Sequence, residues 1–212
     1  GQADRYRVPR ICFINKMDRP GADFFDVLRQ LDDRLEAGAV PYQIPIGTEE
    51  NFSGVIDLVR MKFYTFPDGM LQEGEIPAAY RPDAQSWHQQ LLEKLAEFND
   101  ELAELYLEDK AVPEAMIRTV TRYCVVHSLV TPVFCGAAYK NIGIQPLLDA
   151  IVSYLPSPLD KGAVVGVDPT DTAKALLRQP STSEPFSGLV FKIIYDLYVG
   201  QQTFIRTYSG VL

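Results

Sequence analysis

Two distant segments share one order of strand, loop and helix, and this repetition constrains the possible folds most. Residues 8–38 begin with the apolar run VPRICFI, continue through a loop and end in a helical pattern. Residues 129–155 begin with LVTPVFC and follow the same order, ending before a proline. Repeated units of this kind predict an α/β fold with both strands on one parallel sheet.

The first predicted helix has a clear apolar face. Its hydrophobic residues recur every three or four positions, as expected for a helix packed on a sheet. Gly38 is the predicted stop signal. The residues predicted to form this buried face are Phe24, Val27, Leu28, Leu31 and Leu35.

The segment between the two units differs in kind. Residues 42–66 contain short runs in which valine, isoleucine and aromatic residues alternate with polar ones, which predicts strands. Residues 78–110 are strongly helical, and a further helix is predicted from Pro113 to about residue 127. We therefore predict an inserted α+β subdomain over residues 39–128.

The last part of the chain is predicted to begin another domain. Residues 159–184 are rich in Asp, Thr, Pro and Ser, which predicts an exposed linker. Residues 186–195 and 202–212 are strand-like and flank a turn. Both ends of the chain are expected to be internal cuts in a longer protein, because the chain begins at Gly1 without Met and ends inside a predicted strand.

Composition limits the function classes. Of the 212 residues 47% are hydrophobic and 23% are charged, which supports a packed core. No apolar run approaches the roughly 18 residues needed to cross a bilayer. The net charge of −8 argues against direct nucleic-acid binding and favours a basic partner. Cys12, Cys124 and Cys135 lack metal-ligand spacing and are expected to be free thiols in a reducing compartment.

The tetrapeptide Asn15-Lys16-Met17-Asp18 follows the first predicted strand, at the edge of the sheet where α/β proteins bind ligands. A carboxylate at Asp18 can accept hydrogen bonds from N1 and the 2-amino group of guanine, an edge that adenine lacks. The Asn15 amide can bond to N7, and the Lys16 stem can lie along the base. Asn and Asp also favour ordinary surface turns, so a turn without a ligand is the alternative interpretation.

A second loop follows the other predicted strand. Gly136, Ala137 and Ala138 are small, so the backbone there can approach a flat base closely. An N–H group in this loop can donate to the guanine O6. Small residues are common in loops, and the interpretation depends on the two strands being neighbours.

Four stretches resemble the elongation factor G family of translational GTPases. They occur in order along nearly the whole chain: VPRICFINKMDRPGADF, VPYQIPIGTEENFSGVIDLVRMKFY, CGAAYKNIGIQPLLDAIVSYLPSP and FKIIYDLYVGQQTFIRTYSGVL. The resemblance implies part of a P-loop GTPase sheet with an inserted α+β subdomain, followed by the start of a β-barrel domain. In domain terms, residues 1–38 and 129–158 would be GTPase, 39–128 the insertion, 159–184 the linker and 185–212 the barrel.

The resemblance also implies a function. The parent protein would bind GTP or GDP with Mg²⁺, hydrolyse GTP on the ribosome and move tRNA and mRNA in the cytoplasm. Asn15, Lys16 and Asp18 match the guanine motif, and Gly136, Ala137 and Ala138 match the last base-contacting loop. The alternatives are a recycling, ribosomal-protection or release-factor relative, or a non-catalytic ribosome-interaction module.

Three features depart from the family pattern. Ala137 stands where the family usually has serine, and Leu197-Tyr198 replaces Pro-Phe in the barrel turn. No G-x-x-x-x-G-K-[ST] sequence occurs, so the phosphate loop would have to come from elsewhere in the parent. The chain by itself is therefore expected to hold only the base half of the site. It should have no catalytic residue, hold no nucleotide tightly and not hydrolyse GTP. His88 and His127 are expected to be structural or surface residues.

An acidic stripe is predicted in the insertion. Between Leu91 and Glu108 the apolar residues recur at helical spacing, which predicts one continuous helix. The opposite face would carry carboxylates with Lys94 as the only base. A solvated face is the plain interpretation. The alternative, suggested by the resemblance, is a contact with the ribosomal stalk protein through Glu93, Glu97, Asp100 and Glu104.

Overall fold

The computed structural model describes residues 2–168, 170–171 and 173–212. They form two compact units, one ending at Leu155 and the other beginning at Pro156. The first unit contains, in chain order, α1 (Gln2–Arg5), β1 (Cys12–Ile14), α2 (Phe24–Leu35), β2 (Ala39–Pro41), β3 (Gln43–Ile46), β4 (Gly54–Asp57), β5 (Lys62–Thr65), β6 (Gln72–Gly74), α3 (Arg81–Ala96), α4 (Asp100–Leu107), α5 (Glu114–Val126), β7 (Thr131–Cys135) and α6 (Ile144–Tyr154).

A parallel sheet of three strands lies at the centre of the first unit, in the order β1-β7-β2. Ile14 pairs with Cys135 at the end of β1, and Pro41 pairs with Val133. Every residue of β7 is buried, as expected for the middle strand of a covered parallel sheet. The prediction of an α/β fold with both strands on one parallel sheet is confirmed. The insertion was predicted to begin at residue 39, and this boundary is wrong, because β2 belongs to the parallel sheet.

The insertion has its own antiparallel sheet, in the order β3-β4-β5-β6, followed by the helices α3, α4 and α5. Its apolar residues belong to the same buried cluster as those of the parallel sheet. Tyr42 is fully buried between the two, and its hydroxyl lies 2.8 Å from Thr121 Oγ1 on α5. The insertion is therefore packed onto the parallel sheet through a shared core.

The helix predicted to run through the acidic stripe is two helices. Asn99 caps α4 by accepting a hydrogen bond from Leu102 N at 2.8 Å, and its own backbone is extended. Leu91, Leu95 and Leu102 are buried on both sides of this break. The single continuous helix was a wrong prediction, because the capping residue outweighs the helical periodicity.

Helix α2 begins and ends where local signals require. Asp23 caps it by accepting from Asp26 N at 2.9 Å. The helix ends at Leu35 because Glu36 is left-handed, with φ of 47°, ahead of the predicted stop at Gly38. Of the predicted apolar face, Phe24 and Leu28 are buried, whereas Leu35 is 63% exposed. Leu31 is partly buried against the core and Val27 is 36% exposed, so the predicted face packs on the core only in part.

The second unit contains α7 (Pro158–Lys161), β8 (Val164–Val167), β9 (Ala175–Arg178), β10 (Ser187–Asp196) and β11 (Gly200–Ser209). β8 pairs with β9 and β10 with β11, both antiparallel. The linker predicted over residues 159–184 is therefore wrong where β8 and β9 form a hairpin. Pro169 and Thr172 of that linker, and Gly1 of the predicted GTPase segment, lie outside the described residues. Among the helices of the described chain, none combines the length and apolar character needed to span a membrane.

Candidate guanine-binding site

The two predicted loops lie side by side. Asn15 follows β1 and Gly136 follows β7, and these neighbouring strands are parallel, so both loops leave the same edge of the sheet. Gly136 N donates to Ile14 O at 3.0 Å, and Met17 N donates to Gly136 O at 3.1 Å. Residues distant in sequence are thus joined by backbone hydrogen bonds. The sequence prediction that the two loops are neighbours is confirmed.

Asn15 connects the loops through its side chain. Its Oδ1 accepts from Ala138 N in the second loop at 3.0 Å and from Lys16 N in its own loop at 2.8 Å. Because both bonds use Oδ1, they direct the oxygen into the protein and leave Nδ2 as the atom able to donate to a ligand. A donor at this position can form a hydrogen bond to an acceptor such as guanine N7.

Lys16 and Met17 are oriented oppositely by the turn. Lys16 has a left-handed backbone, with φ of 63°, and is exposed, whereas Met17 is 1% exposed and belongs to the core. The buried methionine anchors the loop beneath its polar residues. An aliphatic lysine stem at the exposed position can cover a flat ring.

Asp18 is the most enclosed polar side chain of the first loop. Its carboxylate is 11% exposed, and Oδ2 lies 3.0 Å from the ammonium nitrogen of Lys140 in the second loop. The hydrogen bond from Lys140 is the main cause that lowers the pKa of Asp18, and its own backbone N–H and Arg19 act in the same direction. Asp18 is therefore a stable acceptor of hydrogen bonds at neutral pH.

The second loop is tightly built. A Cβ at Gly136 would lie 2.2 Å from Ile142 O and 2.7 Å from Phe13 Cζ, so only glycine fits there. Ala137 is buried and exchanges two backbone hydrogen bonds with Ile142, at 3.0 and 3.1 Å. Ala138 is exposed. Since the N–H groups of both alanines already donate within the protein, a donor to O6 must be shared with Asn15 or come from the following amides.

The insertion holds both loops, which the sequence did not indicate. Glu49 N donates to Met17 O at 3.1 Å, and Glu49 Oε1 accepts from Gly21 N at 2.6 Å. On the other side, Gly69 O accepts from the side-chain amides of Asn141 and Gln145, each at 2.8 Å. These contacts join residues far apart in the chain, and no local pattern signals them. The insertion is thus a structural support of the site.

The two histidines lie away from the loops. His88 Nδ1 is 2.6 Å from Leu58 O, and the exposed His127 contacts Tyr123 O on its own helix at 2.8 Å. Within residues 2–168, 170–171 and 173–212 there is no cluster of His, Cys, Asp and Glu that could hold a metal ion. A cavity of about 380 Å³ elsewhere in the first unit is lined by Arg60, Glu114 and Arg118, among others, and Glu114 pairs with both arginines.

The acidic residues of the insertion lie on two successive helices. Glu93 is on α3, Glu97 is its C-cap, and Asp100 and Glu104 are on α4. Lys94 Nζ lies 2.6 Å from Glu97 Oε2, so one of these carboxylates has a basic neighbour. All four side chains are exposed, and the helix breaks at Asn99 between Glu97 and Asp100; these four residues are called the acidic surface below.

Two comparisons with known proteins agree with this geometry. Residues 1–157 match the family described as Elongation factor Tu GTP binding domain. The chain also resembles the crystal structure of ttk003000868 from Thermus thermophilus, with a TM-score of 0.76 and 28% sequence identity. That likeness covers 98% of this chain but only 28% of the other chain. The chain thus spans little more than a quarter of the length of that relative.

Proposed function

Because the chain belongs to the elongation factor Tu GTP-binding domain family, we propose that it is part of a ribosomal translocation GTPase of the elongation factor G kind. The family match indicates a translational GTPase. The base-binding proposal depends on the hydrogen bond from Ala138 N to Asn15 Oδ1, because this bond joins the two loops. The order of motifs along the sequence supports the choice of elongation factor G within the family.

In the proposed site the guanine base lies between the two loops. Asp18 accepts from N1 and the 2-amino group, Asn15 donates from Nδ2 to N7, and the stem of Lys16 covers one face of the ring. Gly136, Ala137 and Ala138 form the wall beside O6. The donors and acceptors of these side chains match the edge of guanine and leave adenine without partners.

The phosphates and Mg²⁺ are assigned to other parts of the parent protein. The chain has no phosphate-binding loop sequence, and its described residues offer no cluster that fits a metal ion. Phosphoryl transfer depends on groups placed around the γ-phosphate. The residues described above select and orient the base, while hydrolysis of GTP belongs to the complete protein.

Nucleotide binding by the parent and by the 212-residue chain tests this proposal. The parent should prefer GDP over ADP by roughly 100-fold, because adenine loses the bidentate contact to Asp18, worth about 1–3 kcal/mol, and meets an unpaired acceptor. The isolated chain should bind both nucleotides very weakly, because phosphate contacts supply most of the affinity. Isothermal titration calorimetry measures the dissociation constants for GDP and ADP in the parent and in the isolated chain. Equal affinity of the parent for GDP and ADP would refute the proposal.

We propose further that the acidic surface of α3 and α4 contacts a basic region of the ribosomal stalk protein. The double variant Glu97→Lys with Glu104→Lys in the parent should slow ribosome-stimulated GTP turnover about tenfold at low salt, an effect expected from like charges at an interface. Nucleotide affinity should not change. Turnover measured against salt concentration checks both expectations.

The matched control is Asp33→Lys with Glu36→Lys, which makes the same change in net charge at exposed positions of α2 and its C-cap. This control should turn over GTP at the wild-type rate. If the Glu97 and Glu104 variant also keeps the wild-type rate at low salt, the acidic surface is only a solvated face.

A further inference from the structure

Lys140 connects the two base loops at a second point. It is the last residue of the short 3₁₀ turn Ala138–Lys140, its N–H donates to Ala137 O at 3.0 Å, and the next residue, Asn141, is left-handed with φ of 57°. The turn therefore fixes the backbone of Lys140. Its ammonium reaches across to Asp18 Oδ2 at 3.0 Å.

The two members of this ion pair have unequal exposure. The Asp18 side chain is 11% exposed and that of Lys140 is 54% exposed. Because the ammonium of Lys140 is exposed to solvent, the pair adds little to folding stability. Its effect on the enclosed carboxylate is more direct, because a bond to Oδ2 restricts rotation of the carboxylate plane.

Reading guanine requires both carboxylate oxygens in one plane with the base. A carboxylate oxygen has two acceptor positions, so Oδ2 can accept from Lys140 and from the base together. The pair thus leaves the site open to guanine while fixing the direction of its acceptors. The lowered pKa of Asp18, caused first by the hydrogen bond from Lys140, agrees with this arrangement.

We propose that Lys140 is a specificity-determining positioning residue, which orients the Asp18 carboxylate for the guanine edge before the nucleotide arrives. The inference rests on the proposed function, since it concerns the same base site. Lys140 is not one of the six residues proposed to contact the base, and its substitution is expected to change the selectivity between guanine and hypoxanthine. Guanine offers two donors to the carboxylate and hypoxanthine only one, so loss of orientation harms guanine more.

The test measures dissociation constants of the parent protein for GDP, IDP and ADP. Lys140→Met should weaken GDP binding about tenfold and IDP binding about threefold, as expected from loss of a charge-assisted contact, so the preference for GDP over IDP narrows. Lys140→Arg should recover most of the lost GDP affinity. Lys62→Met, which removes the ion pair with Glu75 in the insertion, is the matched control and should bind as wild type.

Each outcome decides the matter. Unchanged or tighter GDP binding by Lys140→Met overturns the inference, as does an equal loss for GDP and IDP. Lys140→Leu, which also removes the donor, serves if Lys140→Met has a lowered unfolding temperature, and the same narrowing of the GDP-to-IDP preference is expected. If the wild-type parent itself shows no preference for GDP over ADP, the proposed function fails. If the wild-type parent prefers GDP over ADP but Lys140→Met keeps the wild-type ratio of GDP affinity to IDP affinity, only this inference fails.

Discussion

Asp18→Asn in the parent protein is expected to lose roughly 100-fold in GDP affinity, because the substitution removes a bidentate contact worth about 1–3 kcal/mol and places an amide donor against the donors of guanine. Xanthosine diphosphate should become the preferred ligand. Its 2-oxo group accepts from the new amide, and its N1–H still donates to the remaining oxygen. Competition between GDP and xanthosine diphosphate for the parent measures the exchange directly.

The substitution is nearly isosteric, so the fold should remain intact. Asp23→Asn is the matched control, because Asp23 is nearby and caps α2 through an oxygen that asparagine also supplies. The control should keep the wild-type preference for GDP. If Asp18→Asn binds GDP as wild type does, or gains no affinity for xanthosine diphosphate, Asp18 does not read the base.

Gly136→Ala is expected to damage both stability and binding. A Cβ there would lie 2.2 Å from the backbone oxygen of Ile142, which cannot move without breaking its hydrogen bond from Ala137. We expect a loss of about 2–3 kcal/mol in the free energy of unfolding, typical of overpacking against fixed groups. GDP affinity of the parent should fall about tenfold or more, because the loop must shift away from Asn15.

Unfolding of the 212-residue chain in urea can be followed by the fluorescence of Trp87, its single tryptophan. Trp87 stacks on Phe25 with ring centroids 5.5 Å apart, so its fluorescence reports unfolding of the first unit. Gly74→Ala is the matched control, because nothing lies within 4 Å of the added Cβ and the glycine has no positive φ. That variant should unfold near the wild-type midpoint. Equal midpoints for Gly136→Ala and wild type would show that the loop adapts without cost.

Local patterns in the sequence predicted the elements that frame the site. The apolar run before Asn15 and the one before Gly136 each became a parallel strand, and the small residues after β7 became a tight loop. These signals are local, since a strand flanked by turn residues and a helix is visible in one window. The neighbouring position of the strands followed from the fold class.

Patterns that depend on distant partners were not visible. β2 has only three residues and its partner, β7, lies far along the chain, so the sequence did not separate it from the insertion. Lys140 and Glu49 reach the first loop from distant segments, and their side chains carry no local signal of that role. Asn99 caps α4, but the sequence pattern did not indicate a helix end there, because the apolar residues keep helical spacing through the break.

A structure of the parent protein with GDP tests the central claim most directly. The base is expected between Asn15 and Ala138, with both oxygens of Asp18 within hydrogen-bond distance of N1 and the 2-amino group. The ammonium of Lys140 is expected to remain hydrogen-bonded to Asp18 Oδ2. A base bound away from these two loops, or one whose N1 edge faces a group other than Asp18, would contradict the central claim.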